Sequence, residues 1–209
     1  AHLLTEQRGD DSWISALESV LAETAVAVTA ARQSLIKALN REAAGGWFGF
    51  PGAELLLGGD IENWLSDMPA LAVEDQLMLA ARAARLNGDL AMPGPHASEF
   101  QALHLASQVP ANRASTGQQK AMLIAVILAH ARLQDRRLGR VPVMLFDDVA
   151  AHLDAKRRGA LFDAVQSLGG QCWYSGTDEG QFKELLKTAQ LVKILPAKIA
   201  GETPVFEVI

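Results

Sequence analysis

Val141-Pro142-Val143-Met144-Leu145-Phe146-Asp147-Asp148-Val149-Ala150-Ala151-His152-Leu153-Asp154 is the stretch on which the fold turns. Its first six residues are continuously apolar, the pattern of a parallel strand covered on both faces. Pro142 stands near the start, where a missing N–H costs the ladder least. Two carboxylates close the run. A buried strand ending in this way sets them at the carboxyl edge of a sheet, where open α/β folds bind their ligands. In a nucleotide-hydrolysing site the first carboxylate holds Mg²⁺, usually through water, and the second orients or deprotonates the attacking water. The competing reading is that Asp147 and Asp148 only cap the next turn, since aspartate is common after strands. On this stretch alone both readings stand.

Outward from it the grammar stays α/β. Gln171-Cys172-Trp173-Tyr174-Ser175 is a second strand candidate, followed by residues 191–195 and 204–209. Helices are expected at residues 118–134, 155–168 and 179–188. Upstream, Ala114-Ser115-Thr116-Gly117-Gln118-Gln119-Lys120 leads into the first of these. A helix N-terminus exposes unpaired N–H groups and the positive end of the dipole, which suits phosphate oxygens. Gly117 removes a side chain that would block close approach, and Ser115 offers a hydroxyl donor. Against that, Ser115 with Gln118, or Thr116 with Gln119, fits a capping box that needs no ligand.

Before Gly94-Pro95 the periodicity is helical. Trp13, Leu17, Val20, Leu21, Val28, Ala31, Leu35 and Leu39 recur along one stripe of a helix over residues 12 to about 40, uninterrupted by Gly or Pro. Such a stripe needs a partner, expected in the alanine-rich segment 73–86 and a short helix at 61–68. The glycine-rich stretches 45–51 and 58–60 read as turns. These features divide the chain at residue 93, into a helical subdomain (1–93) and an α/β part (94–209). Self-packed helices and an extended lever-like pair both satisfy the periodicity.

The whole-chain numbers bound these readings. At 209 residues, 49% hydrophobic and 21% charged, the chain can bury a core and is no disordered tail. A net charge of −5 argues against a protein built to coat nucleic acid, so DNA contact would need a local basic patch or other parts of the protein. No uninterrupted apolar run reaches the roughly 18 residues that span a bilayer. The first residues lack the basic and apolar regions of a secretory signal, and they lack a Met, as expected of a start inside a longer protein. A single cysteine, Cys172, fits a reducing cytosol, and a cytoplasmic location is expected.

Taken in order, a signature-like loop, a long apolar helix, a strand ending Asp-Asp and a small-residue turn ending Leu153-Asp154 resemble the second half of an ABC-type ATPase. The RecF family of DNA-repair ATPases is the closest resemblance. Its signature, Walker B, D-loop and Gly-Thr-Asp motifs match Ser115-Thr116-Gly117-Gln118, Asp147-Asp148, Ala151-His152-Leu153-Asp154 and Gly176-Thr177-Asp178. Gly94-Pro95-His96 and Asp154-Ala155-Lys156-Arg157-Arg158 also match. The resemblance covers about residues 94–178 well and the helical part loosely. It implies the C-terminal part of an ABC-type P-loop ATPase head with a lever-like helical subdomain.

By that resemblance the complete protein binds ATP and Mg²⁺, forms an ATP-dependent head-to-tail homodimer, and works with DNA and recombination mediator proteins as a clamp in gap repair. Asp147 would assist Mg²⁺ and Asp148 would serve the attacking water. Ser115 with Gly117 would face the opposite protomer's γ-phosphate, with Thr116 and Gln118 as the other nucleotide-binding residues of that loop. Asp154 would lie near the dimer axis, and Thr177 stands where many ABC proteins have a switch histidine.

The chain also departs from the family. No Gly-x-x-x-x-Gly-Lys-Ser/Thr occurs, so these 209 residues lack the phosphate cradle and its lysine, and no ATPase activity is expected from them alone. Ala97 and Glu99 stand where Arg and Asp are expected. His104, His130 and His152 show no metal-ligand spacing. Arg132, Arg136, Arg137 and Arg140 read as a solvated helix end rather than a DNA contact, and the four tryptophans as packing residues. The rival function is a non-catalytic, SMC-like head remnant acting as an interaction module. A hydrolase using Asp147 and Asp148 as an acid–base pair is the third reading, opposed by the strand pleat that sends neighbouring side chains to opposite faces.

Overall fold

A computed structural model describes residues 11–88, 93–195 and 205–208. The N-terminal stretch 1–10, part of the connection after residue 87, and the ends of the last expected strand lie outside the described residues. The chain forms two compact units, one from Ala1–Gly46 with Pro51–Leu133, the other from Trp47–Phe50 with Gln134–Ile209.

The first unit opens with α1 (Asp11–Ala43), followed by β1 (Ala53–Gly58), α2 (Asp60–Asp67) and α3 (Ala70–Asn87). Ala22 and Val26 of α1 pack on Ile61 of α2 and on Val73 and Leu77 of α3. Each fully buried Val, Leu or Ile of such a cluster stabilises by about 1.5–3 kcal/mol. Glu18 and Arg85 tie α1 to α3 with an N···O distance of 3.3 Å. Gly88 stops α3 with a left-handed φ of 68°, returning its N–H to Ala84 and Arg85 carbonyls.

Which face of α1 is buried differs from expectation. Of the expected stripe Trp13, Leu17, Val20, Leu21 and Leu35 are exposed and only Leu39 is buried, whereas Ala22, Val26, Thr29, Ala38 and Ala43 outside it are buried. Val20 and Ala22 stand about 200° apart around a helix of 3.6 residues per turn. The helix therefore carries two apolar stripes, and the one with smaller side chains faces inward because it lets α3 approach closely. By length and composition residues 12–43 are also apolar enough to cross a membrane, with a mean hydropathy of 1.4 in the most apolar window.

The unit also contains a sheet the periodicity did not announce. β1 pairs antiparallel with β2 (Glu99–His104), from Ala53 opposite His104 to Gly58 opposite Glu99, and β2 pairs with β3 (Val109–Pro110). Asn40 of α1 seals the other side of β1. Its Nδ2 donates to the Leu55 carbonyl at 2.9 Å and its Oδ1 accepts the Leu55 N–H at 2.7 Å. Ala38, Leu39, Leu55 and Leu133 form the core beside it. After a 3₁₀ turn (Ala111–Arg113) comes α4 (Thr116–Leu138), at whose Arg132 an ion pair reaches the buried Glu42 at 3.0 Å. Arg132 is thus a structural partner of α1 rather than part of a solvated basic run.

In the second unit β4 (Met144–Phe146) pairs parallel with β5 (Cys172–Tyr174), and α5 (Ala155–Leu168) connects them. Parallel neighbours need such a crossover. Ala150, Phe162, Phe182 and Leu185 form the core under one face. The other face is open: Leu145 is 75% exposed and Trp173, its register partner, 56%. The expected cover on both faces is absent among the described residues. β6 (Val192–Leu195) and β7 (Val205–Val208) form a separate antiparallel pair.

The helix expected at 179–188 is instead a 3₁₀ turn (Glu179–Phe182) running into further turns. Asp178 Oδ1 accepts the Gly180 N–H at 2.8 Å, and the following bonds close over three residues, as from Leu185 N–H to the Phe182 carbonyl at 2.8 Å. An aspartate bonding its own backbone two residues on competes with α-helix initiation, and glycine weakens the helix further.

Candidate functional site

The carboxyl end of the parallel pair gathers most of the second unit's chemistry. The ladder runs from Met144 opposite Cys172 to Phe146 opposite Tyr174. One further bond, from the Ser175 N–H to the Phe146 carbonyl at 2.9 Å, carries it past the ends of both strands. Phe146 stacks on Tyr174 with ring centroids 5.4 Å apart, and Tyr174 meets Phe162 edge-on at 5.2 Å. Burial pushes the Tyr174 hydroxyl far above the usual phenol range, so this support stays neutral.

On that support stand Asp147 and Asp148. The Ser175 hydroxyl donates to Asp147 Oδ1 and accepts the Asp148 N–H at 3.1 Å. Asp148 takes a left-handed φ of 48°. A residue with a Cβ adopts that conformation uncommonly, though aspartate does so more readily than most. The extended backbone therefore breaks here, and the pleat rule that would send adjacent carboxylates to opposite faces does not apply across this bond. Asp148 Oδ1 is enclosed and has no hydrogen-bond partner among the described residues. Its Oδ2 lies 3.8 Å from His152 Nε2. Asp147 itself is exposed and Asp148 half-exposed.

The other expected residues of this unit are placed nearby in sequence but act locally. Asp154 caps α5, its Oδ1 accepting the Arg157 N–H at 2.8 Å. Thr177 is exposed, between β5 and the turn at Asp178. Gly176 before it is required by packing, since a Cβ there would lie 2.8 Å from the Phe182 ring.

In the first unit the signature-like loop closes on itself. The Ser115 N–H donates to Gln118 Oε1 at 3.0 Å and the Gln118 N–H to Ser115 Oγ at 3.3 Å, the reciprocal capping box. Thr116 begins α4 and Gly117 follows within its first turn. Gln119 Nε2 donates to the Ala111 carbonyl at 2.7 Å, anchoring the loop from behind. In the Gly94-Pro95-His96 segment the Pro95 carbonyl accepts from Arg32 Nη1 at 2.5 Å, and two residues past His96 the Ser98 Oγ donates to buried Glu62 at 2.6 Å. Ala97 lines an open groove of about 390 Å³ with Glu99, Gln101 and residues of β1.

One participant escaped the sequence reading: Ser175 was visible only as the last residue of a strand. His152 was read within the D-loop-like turn and as a histidine without ligand spacing, and its approach to Asp148 was not foreseen. The signal for Ser175 is the parallel register that puts it beside the end of β4. Among the described residues no group of three or more His, Cys, Asp or Glu is placed to hold a metal ion. Mg²⁺ does not need one, since one or two carboxylates with substrate phosphates and water suffice. The two strand-end carboxylates, one oxygen of which is unpartnered, fit that role.

Comparison with known proteins gives the context. No family model matches the chain. Among curated relatives, the DNA replication and repair protein RecF of Mesorhizobium japonicum is 39% identical over 199 residues, 92% of this chain and 52% of the relative. RecF of Rhizobium meliloti is 37% identical over 206 residues, 95% of this chain and 54% of the relative. RecF of Rhizobium rhizogenes is 40% identical over 201 residues. The chain spans about half the length of the curated relatives it matches. A solved structure of the recombination mediator protein RecF with ATP, of the RecFOR pathway, superposes with a TM-score of 0.59 over 85% of this chain and 50% of its own, at 19% identity. At that identity the likeness is one of fold, the α/β ABC-type head.

Proposed function

We propose, on the premise that this chain is RecF-type sequence, that it forms the signature, Walker B and D-loop part of an ATP-dependent, DNA-associated clamp in recombinational gap repair. The observation that carries this reading is the pair Asp147 and Asp148 at the carboxyl edge of a parallel strand pair, bridged by one hydroxyl, with Asp148 Oδ1 left unpartnered. Asp147 is assigned to Mg²⁺ through water, and Asp148 to orienting the attacking water and taking its proton. Ser115 with Gly117 is assigned to the γ-phosphate bound by an opposing protomer, with Thr116 and Gln118 as further nucleotide-binding residues of the same loop. The α4 N-terminus supports that assignment because its dipole favours negative charge. Asp154 is assigned to the dimer axis and Thr177 to phosphate sensing.

ATP with Mg²⁺ supplies the phosphoanhydride and the charge neutralisation. The chain's own residues orient water and hold its proton. A phosphate cradle with its lysine must come from sequence other than these 209 residues. DNA, recombination mediator proteins and a second protomer are the proposed partners, in the cytoplasm. The net charge of −5 puts DNA contact on a local patch or on other parts of the protein.

The test assembles the chain with a RecF-type N-terminal half, in trans or as a fusion. The assembly should hydrolyse ATP, and Asp148→Asn should slow hydrolysis by about 100-fold or more while nucleotide still binds. The isolated chain should show only background turnover. Wild-type hydrolysis by the Asp148→Asn assembly refutes the assignment. The rival reading, an interaction module without catalysis, draws support from the exposed stripe of α1. It predicts protein binding by the assembly but no ATP-dependent dimerisation.

A further inference from the structure

We propose that Ser175 is a positioning residue that fixes both strand-end carboxylates at once through its single hydroxyl. The inference rests on the reading of Asp147 and Asp148 given above, and it concerns a residue that no motif of the resemblance includes. Three features of the geometry point to it.

First, Ser175 is held by backbone before its side chain does anything. Its N–H bond to the Phe146 carbonyl, 2.9 Å, extends the parallel ladder beyond Tyr174 and sets its Cα beside the end of β4. The stacked pair Phe146–Tyr174 and the edge-on contact of Tyr174 with Phe162 fix the strand ends below it. Second, both capacities of the hydroxyl are committed. An amide N–H can only donate, so the 3.1 Å contact from Asp148 uses an Oγ lone pair, and the hydroxyl proton is left to point at Asp147 Oδ1. Third, the acceptor side of this bridge holds the N–H of a residue in the left-handed region. That conformation persists only where its surroundings over-determine it. Ser175 supplies part of that determination, while it also selects the rotamer of Asp147.

The consequence is coupling. Loss of the hydroxyl removes the donor that orients the metal-side carboxylate, and it releases the amide that holds the water-side carboxylate. Alanine at this position should therefore impair metal use and turnover together, without touching nucleotide contacts. An outer partner of this kind typically contributes about 10–100-fold in metal affinity or activity.

The experiment uses the assembly with a RecF-type N-terminal half and four variants, Ser175→Ala, Ser175→Cys, Ser175→Thr and Asp148→Asn. Readouts are ATP turnover, the Mg²⁺ concentration for half-maximal turnover, nucleotide affinity and a thermal melt. Ser175→Ala and Ser175→Cys should lose about 10–100-fold in turnover and need more Mg²⁺, with nucleotide affinity held within about threefold. Ser175→Thr, which keeps a hydroxyl, should recover most of the turnover. Should Ser175→Ala melt early, the near-isosteric Ser175→Cys carries the comparison. Wild-type turnover by Ser175→Cys, or a Ser175→Thr protein as impaired as Ser175→Ala, overturns the role of the hydroxyl while an inactive Asp148→Asn keeps the parent reading. An Asp148→Asn assembly as active as wild type overturns the parent reading and this inference with it.

Discussion

Replacing Ser115 separates a helix cap from a phosphate contact, because the two roles predict different responses to one set of substitutions. In the structure the Ser115 Oγ accepts the Gln118 N–H at 3.3 Å and Gln118 Oε1 accepts the Ser115 N–H at 3.0 Å. Loss of an N-cap serine costs about 0.5–2 kcal/mol. The first bond is long and Ser115 is exposed, so water can replace the lost partner. Ser115→Ala should therefore cost about 0.5–1 kcal/mol, the lower part of that range. For a chain of this size that lowers Tm by roughly 1–4 °C, and Ser115→Gly should lose only a few tenths of a kcal/mol. Gln118→Ala should cost a similar amount, and the double variant less than the sum, since each half of the box orients the other. Ser115→Arg should melt like Ser115→Ala, because nothing buried opposes the new side chain. In the assembly with a RecF-type N-terminal half, however, Ser115→Arg should abolish ATP-driven dimerisation while Ser115→Ala only weakens it. Thermal melts alongside sedimentation with and without ATP measure both. If Ser115→Arg dimerises with ATP like wild type and merely melts early, the loop is a cap and the phosphate assignment is wrong.

Three further outcomes are expected. Asn40→Ala strips partners from both the N–H and the carbonyl of Leu55 in a half-buried setting. It should cost about 2–4 kcal/mol in urea unfolding with m unchanged; a loss under about 0.5 kcal/mol would mean water fully replaces the amide. Burial raises the Cys172 thiol above its ordinary pKa, so alkylation of the folded chain should lag that of a free thiol through mildly alkaline pH and catch up on denaturation. The same shift contributes stability present below the unfolded thiol pKa and lost as pH rises through the folded one, which a urea midpoint series from pH 7 to pH ~10 would detect; reactivity equal to a free thiol contradicts the burial. Finally, the exposed stripe of α1 and the open face of Leu145 and Trp173 should make the isolated chain self-associate. Leu17→Glu with Val20→Glu should reduce that association at little cost to helix content, and a RecF-type N-terminal half in trans should raise the melting temperature. Light scattering that finds a concentration-independent monomer with a sharp cooperative melt rules this out.

What the amino-acid sequence determined by itself is local in range. The run from Val141 to Phe146 followed by two aspartates marks a strand, formed over Met144–Phe146, and the carboxylate pair that closes it, because continuous apolarity and a terminal carboxylate pair are both readable within a few residues. The cap of Ser115 with Gln118 and the bounds of α5 are legible for the same reason, as capping chemistry acts over three or four positions. Tertiary structure decided the rest. α1 carries two apolar stripes, and only the approach of α3 selects the alanine-rich one. β1 becomes a strand by pairing with β2, whose nearest residue lies 41 positions later in the chain at Gly58 opposite Glu99 (99 − 58); nothing within its own six residues required that partner. Asp148 enters the left-handed region although it is not glycine, a conformation that aspartate tolerates but that its residue type does not require. Ser175 reaches it only because a parallel ladder brings the ends of β4 and β5 together. Periodicity reports how a segment could be buried, whereas register and the choice between two burial faces depend on contacts that the chain makes only once it is folded.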